Sequence, residues 1–184
     1  MRRSGFKGLV AAGLVATSIA SSSSVVSASD MFLKITNIKG ESTDEKHKDE
    51  IDVLSWSWGT STGEGKVKRG SVPTQCIQDL QLTKYVDRST PELITMAVSG
   101  DIAKEATLSL RKAGGKVPED YLVIKMTDVM VTSYQTGTNA LSEAPLMDQL
   151  VLHFATIEGE YKQQRPDGTF GPGIFFKASG NCPE

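Results

Sequence analysis

The chain has 184 residues, 23% of them charged, with 20 lysines and arginines against 22 aspartates and glutamates and a formal net charge of -2. So even a balance, with no concentrated basic face, gives no reason to expect a nucleic-acid partner, and no stretch beyond the first thirty residues is long and apolar enough to span a membrane as a helix. The two cysteines, Cys76 and Cys182, are too few for a disulfide-dense scaffold, though in an oxidising compartment they could pair and close most of the chain into one loop.

Arg2, Arg3 and Lys7 form a basic start, residues 9–20 an apolar run too short for a stable anchor, and Val26-Ser27-Ala28 a small-residue cleavage site. This layout predicts an export signal over residues 1–28, removed after Ala28, the alternative being an upstream segment that precedes a true start at Met31. Without Arg2, Arg3 and Lys7 the chain keeps 17 basic residues against 22 acidic ones and a net charge of -5. Residues 29–184 are enough for one domain with its own hydrophobic core.

Residues 31–38 mix Phe32, Leu33, Ile35 and Ile38 with Lys34 and Thr36 and predict a first strand. Residues 39–50 carry charges of both signs around His47 with no apolar period, which predicts a solvated loop; its acids lack the order of a calcium loop. Residues 51–59, Ile-Asp-Val-Leu-Ser-Trp-Ser-Trp-Gly, form the most informative strand. Alternation puts Leu54, Trp56 and Trp58 on one face and Val53, Ser55 and Ser57 on the other, so two indoles need a core behind them and two hydroxyls suit a wetted wall.

The glycine-rich stretch 60–70 interleaves Gly63, Gly65 and Gly70 with Glu64, Lys66, Lys68 and Arg69. A phosphate cradle fails on spacing, because Gly65-Lys66 is followed by Val67 and Thr60 stands where the first glycine belongs, so a protruding, partner-contacting loop fits better. Residues 71–86 are strand-like again. Thr90-Pro91-Glu92 then starts a helix with a hydroxyl cap, a proline in the first turn and a carboxylate at the positive end of the dipole, and Gly100 ends it.

Residues 107–111 alternate with Leu108 and Leu110 inward. In residues 121–132, Leu122, Ile124 and Met126 hold one phase and Val129 and Val131 the other, which predicts a bulge near Asp128. Residues 136–144 are a polar connection, residues 150–161 a long strand apolar on both faces and so in need of burial between subunits, and Pro166-Asp167-Gly168 a turn before a last short strand. The sum is a mainly β chain, an antiparallel two-sheet β-barrel or sandwich with one short α-helix.

Catalytic chemistry is thin in this sequence. The two histidines are His47, in the charged loop, and His153, within a strand; no serine sits in a nucleophile elbow, and no histidines and cysteines have metal-ligand spacing. The expectation is a binding or structural protein, not an enzyme, with no cofactor and no metal.

Several segments resemble one family closely. Met31-Phe32-Leu33-Lys34-Ile35, Lys39-Gly40-Glu41-Ser42, His47, Ile51-Asp52-Val53-Leu54, Trp56-Ser57-Trp58-Gly59, Thr83-Lys84-Tyr85, Asp87, Ser89-Thr90-Pro91 and Arg111-Lys112-Ala113-Gly114-Gly115 are similar to the haemolysin-coregulated protein family, Hcp, the tube subunits of bacterial type VI secretion. The resemblance implies a two-sheet barrel that closes into hexameric rings and stacks into a tube. It implies that Ser57, with Ser55 on the same face, looks into the lumen, and that the loop carrying Thr60, Glu64, Lys66, Lys68 and Arg69 reaches the neighbouring ring. The implied partners are further copies of the chain, a spike protein at the tube tip, a contractile sheath and small effector proteins. The implied route is type VI secretion from the cytoplasm; a cleaved leader would instead make the chain an exported Hcp-like binding module or ring in the periplasm or medium.

Overall fold

The computed structural model describes residues 29–62, 75–112, 118–137 and 145–179. The predicted leader, Glu64, Lys66, Lys68, Arg69, Cys182, the Gly114-Gly115 turn and most of the 136–144 connection lie outside the described residues.

The described chain runs β1 (Ser29–Ile35), β2 (Ile51–Ser57), β3 (Thr60–Thr62), β4 (Gln75–Ile77), β5 (Leu80–Tyr85), α1 (Thr90–Ser99), β6 (Ala103–Lys112), β7 (Asp120–Gly137), β8 (Met147–His153), β9 (Thr156–Gln164) and β10 (Phe170–Ser179). The main sheet has the order β10-β9-β7-β6-β1-β2-β5-β8, and β7 also pairs with β8, so six strands close into a barrel. Strands β9 and β10 extend one sheet beyond the barrel, and β3 and β4 form a separate antiparallel pair.

Two strands bend so that the sheet can close. β7 bends at Asp128, whose φ is 53°: its first half pairs with β6 and β9, its second half with β8. The change of phase between Met126 and Val129 forecast this bulge, and the strand continues past Thr132 to Gly137. β2 bends too. Ile51 and Asp52 pair with β1, and a register shift between Val53 and Ser55 carries the rest onto β5.

This second bulge corrects the face assignment. Val53 is buried in the core together with the partly buried Trp56 and Trp58, whereas Ser55 and Ser57 are exposed. Strict alternation had placed Val53 with the serines; the extra residue of the bulge reverses the phase at Leu54. The tryptophans and serines themselves lie on opposite sides, as expected.

Residues 150–161 form two strands, broken at Phe154 and Ala155, where the expectation was one. Leu150, Leu152, Phe154 and Ile157 are all buried within the single chain. Both-face apolarity therefore comes from a chain that changes sheets, and it needs no neighbouring subunit. Residues 71–86 likewise divide, into β4 and β5, and the last strand is ten residues long.

The sequence predicts a helix over residues 91–99; it spans Thr90–Ser99, and Gly100 ends it in the left-handed region, φ 72°, with its N–H donated to the Met96 carbonyl. The cap differs. Ser89 holds the N-cap position without a side-chain cap bond, and the Thr90 hydroxyl is committed to Asp148 and Lys84. Leu93 and Met96 join the core, and the Pro166-Asp167-Gly168 turn forms with Gly168 at φ 86°.

Residues 39–50 are folded back on themselves, which corrects the picture of a solvated loop. Gly40 donates to the Asp49 carbonyl, and Ser42 and Asp49 bridge the same two arms. His47 is buried, its ring stacked on Phe32 at 4.2 Å, with Nδ1 2.9 Å from Glu50 and Nε2 3.2 Å from Asp120. The Arg111 guanidinium lies 5.1 Å from the centre of the Phe32 ring and pairs with both oxygens of Asp44. These hydrogen bonds hold the Asp44 carboxyl well below the usual carboxylate range despite partial burial.

Candidate functional site

Half of the barrel wall is the four-stranded sheet formed by β2, β5, β8 and the second half of β7. Its inner side carries Trp56, Leu82, Leu150, Leu152 and Val131, all packed into the core. Because side chains alternate, the registers of the three strand pairings fix what the outer side presents. One row reads Ser55, Thr83, Gln149, Gln135 across the four strands, and the next reads Ser57, Gln81, Val151, Ser133.

Seven of these eight residues are neutral hydrogen-bonding groups, and neither row holds a charge. The seven side chains make no hydrogen bond among the described residues, so their donors and acceptors face outward uncommitted. Together they line a shallow open depression. Beyond one end of the rows His153 Nδ1 meets Asp79 at 2.8 Å; beyond the other come the exposed Tyr85 and Met147.

The sheet stays in place through a buried polar knot beneath it. Lys84 and Asp148 are opposed across β5 and β8, both almost without exposure, with Lys84 Nζ 2.9 Å from Asp148 Oδ2. The same ammonium reaches Asp87 at 2.7 Å and the Tyr85 carbonyl at 2.9 Å, while the Thr90 hydroxyl donates to Asp148 at 2.6 Å. Burial pushes the Asp148 carboxyl up, but the Thr90 and Lys84 hydrogen bonds more than offset it, and its pKa falls below the ordinary value. Burial and the neighbouring Asp148 push the Tyr134 phenol up. The knot ties the first turn of α1 to the wall.

Of the residues singled out from sequence, Ser55 and Ser57 lie together on this wall. Thr60 is exposed on β3, opposite Ile77 of β4; Cys76 is also on β4, opposite Ser61. Gln81, Thr83, Ser133, Gln135 and Gln149 were missed. The available signal was polar residues two apart, Gln81 and Thr83 in β5 and Ser133 and Gln135 in β7, with Gln149 in β8, which means little until the strands are known to be neighbours. The Lys84, Asp87 and Thr90 motif proves to be structural.

Fold and site together define a small closed β-barrel that offers a broad hydrogen-bonding wall on one side. Residues 32–161 match the family described as type VI secretion system effector, Hcp. The chain is 42% identical over 141 residues to protein hcp1 of Pseudomonas aeruginosa, covering 76% of this chain and 86% of that one. Among solved structures it is similar to Hcp1 of Salmonella typhimurium, with a TM-score of 0.70 and 34% identity over 83% of this chain and 95% of that one. A type VI secretion system effector from Yersinia pestis superposes with a TM-score of 0.66 at 28% identity, covering 82% of this chain and 100% of that one. The chain belongs to the Hcp family of the type VI secretion system, a family of structural secretion proteins.

Proposed function

We propose that this chain, folded as one domain from residue 29 onward, is the repeating subunit of a type VI secretion tube. Six copies close into a ring, and rings stack head to tail into a conduit. A closed ring with heterologous stacking on its two ends extends without limit, which is what a tube needs. Ser55 and Ser57 face the lumen; Thr60 on β3 and the segment with Glu64, Lys66, Lys68 and Arg69 that follows it contact the next ring. Small effector proteins ride inside, a contractile sheath drives the tube outward, and a spike protein closes its tip.

The observation that carries this reading is the sheet face itself: two in-register rows without a charge, their hydrogen-bonding groups uncommitted, on a barrel of the Hcp family. Such a face suits the inner wall of a channel that solutes must enter and leave.

The test is negative-stain electron microscopy with light scattering on the chain from Met31. Six-fold rings are expected, and a monomer at all protein concentrations would refute the tube. Ser57→Gln should leave the rings intact, with unfolding within about 0.5 kcal/mol of the parent because the position is exposed. It should also lower cargo retention by crowding the lumen; unchanged retention would remove Ser57 from the cargo wall.

A further inference from the structure

The two faces of this protein differ in charge, and the difference follows strand registers. On the other sheet one row across five strands reads Lys34, Thr107, Lys125, Glu158, Lys177: four charges in five positions. Lys177 and Glu158 pair at 3.4 Å. On the four-stranded sheet the rows Ser55, Thr83, Gln149, Gln135 and Ser57, Gln81, Val151, Ser133 contain none. The registers place all eight neutral positions side by side on one face.

We infer that this wall retains cargo through uncharged, reorientable hydrogen bonds, so that its protein ligands are accepted without regard to the sign of their net charge. The inference rests on the reading of the wall as a lumen surface and adds the chemistry of recognition. A glutamine amide offers two donors and an acceptor oxygen, and a serine or threonine hydroxyl offers both roles, so each group can turn to meet either polarity of a neutral polar surface. None of the seven is held in one orientation by an internal partner among the described residues. A charged wall would concentrate ligands of one sign, repel the other and weaken as salt screened it. A neutral wall lacks that dependence. Selection of cargo is then left to size and fit, and no ion pair has to be broken when the cargo leaves.

The experiment uses purified rings of the full chain and two surface-charge variants of ubiquitin as probes, one net positive and one net negative, with retention measured by co-sedimentation. The two probes should be retained to within about twofold of each other, and raising salt from about 50 mM to about 500 mM should change neither by more than that. Gln149→Lys places an ammonium in the middle of the wall and should favour the negative probe about tenfold at low salt, with the preference lost at high salt. Discrimination by the parent rings of about tenfold, or retention that collapses with salt, would overturn the inference while leaving the tube intact. Indifference to Gln149→Lys would also overturn it, because cargo would then not touch the wall. Rings that retain neither probe would remove the carrier reading and this inference with it.

Discussion

Lys84→Met removes one half of a buried ion pair and leaves the other half in place. Asp148 has no exposed surface, and its Oδ2 is 2.9 Å from the Lys84 ammonium, which also joins Asp87 and the Tyr85 carbonyl. Methionine fills similar volume without supplying charge or donors, so the Asp148 carboxylate is left buried without its cation. Breaking a buried pair in this way costs about 3–5 kcal/mol, a large part of the roughly 5–15 kcal/mol that holds a domain folded. At about 2–4 °C per kcal/mol for a chain of this size, thermal unfolding should fall by about 6–20 °C at fixed protein concentration.

The pH dependence supplies an independent sign. In the parent, Asp148 is depressed below its unfolded value near 3.9, so its contribution is present above that pH and is lost as pH falls through the folded value. In Lys84→Met the burial effect, which raises the pKa, loses one of the hydrogen bonds that oppose it, while that of Thr90 remains. Asp148 then lies higher than in the parent and less stability is lost on its protonation, so the deficit relative to the parent should shrink as pH falls below about 4. The double variant Lys84→Met with Asp148→Leu should recover much of the single-variant loss. A single variant within about 1 kcal/mol of the parent, or a deficit that grows on acidification, would refute the account of the knot.

Two further substitutions probe the folded loop. In Gly40→Ala the new Cβ would collide with the Glu50 carbonyl and stand 2.6 Å from the Ile51 Cα, and backbone cannot yield as a side-chain tip does. A loss of about 1–3 kcal/mol in urea unfolding is expected, and a neutral result would mean that the loop is free to move off β2. Arg111→Lys gives up the paired contact with Asp44 and the stacking on Phe32. The Asp44 contribution is present above about pH 4 and lost as pH falls through its lower folded value, so the variant should show a shallower decline in denaturation midpoint between about pH 5 and pH 2. An acid limb identical to that of the parent would count against the pair.

The local features were legible because each depends on a few neighbouring residues. Thr90-Pro91-Glu92 and Gly100 marked the helix, the phase change across Asp128 marked the bend in β7, and Pro166-Asp167-Gly168 marked the turn. The pattern Trp56-Ser57-Trp58 told apart a core side and a water side of β2. Family membership was also legible, since segments such as Trp56-Ser57-Trp58-Gly59 and Ser89-Thr90-Pro91 stand in unbroken order in the chain.

What depends on distant pairings was not legible. The bulge between Val53 and Ser55 arises because β2 must leave β1 for β5, and nothing within residues 51–59 announces that exchange. Residues 150–161 read as one strand because an apolar run looks alike whether it crosses two sheets or stays in one. His47 read as a loop residue until Phe32, Glu50 and Asp120 closed around it, 15, 3 and 73 positions away. The sequence by itself determined the periodicities, the helix and the family. Only the tertiary structure decided that Ser55, Thr83, Gln149 and Gln135 form one charge-free row, because register between strands is set by closure of the whole barrel.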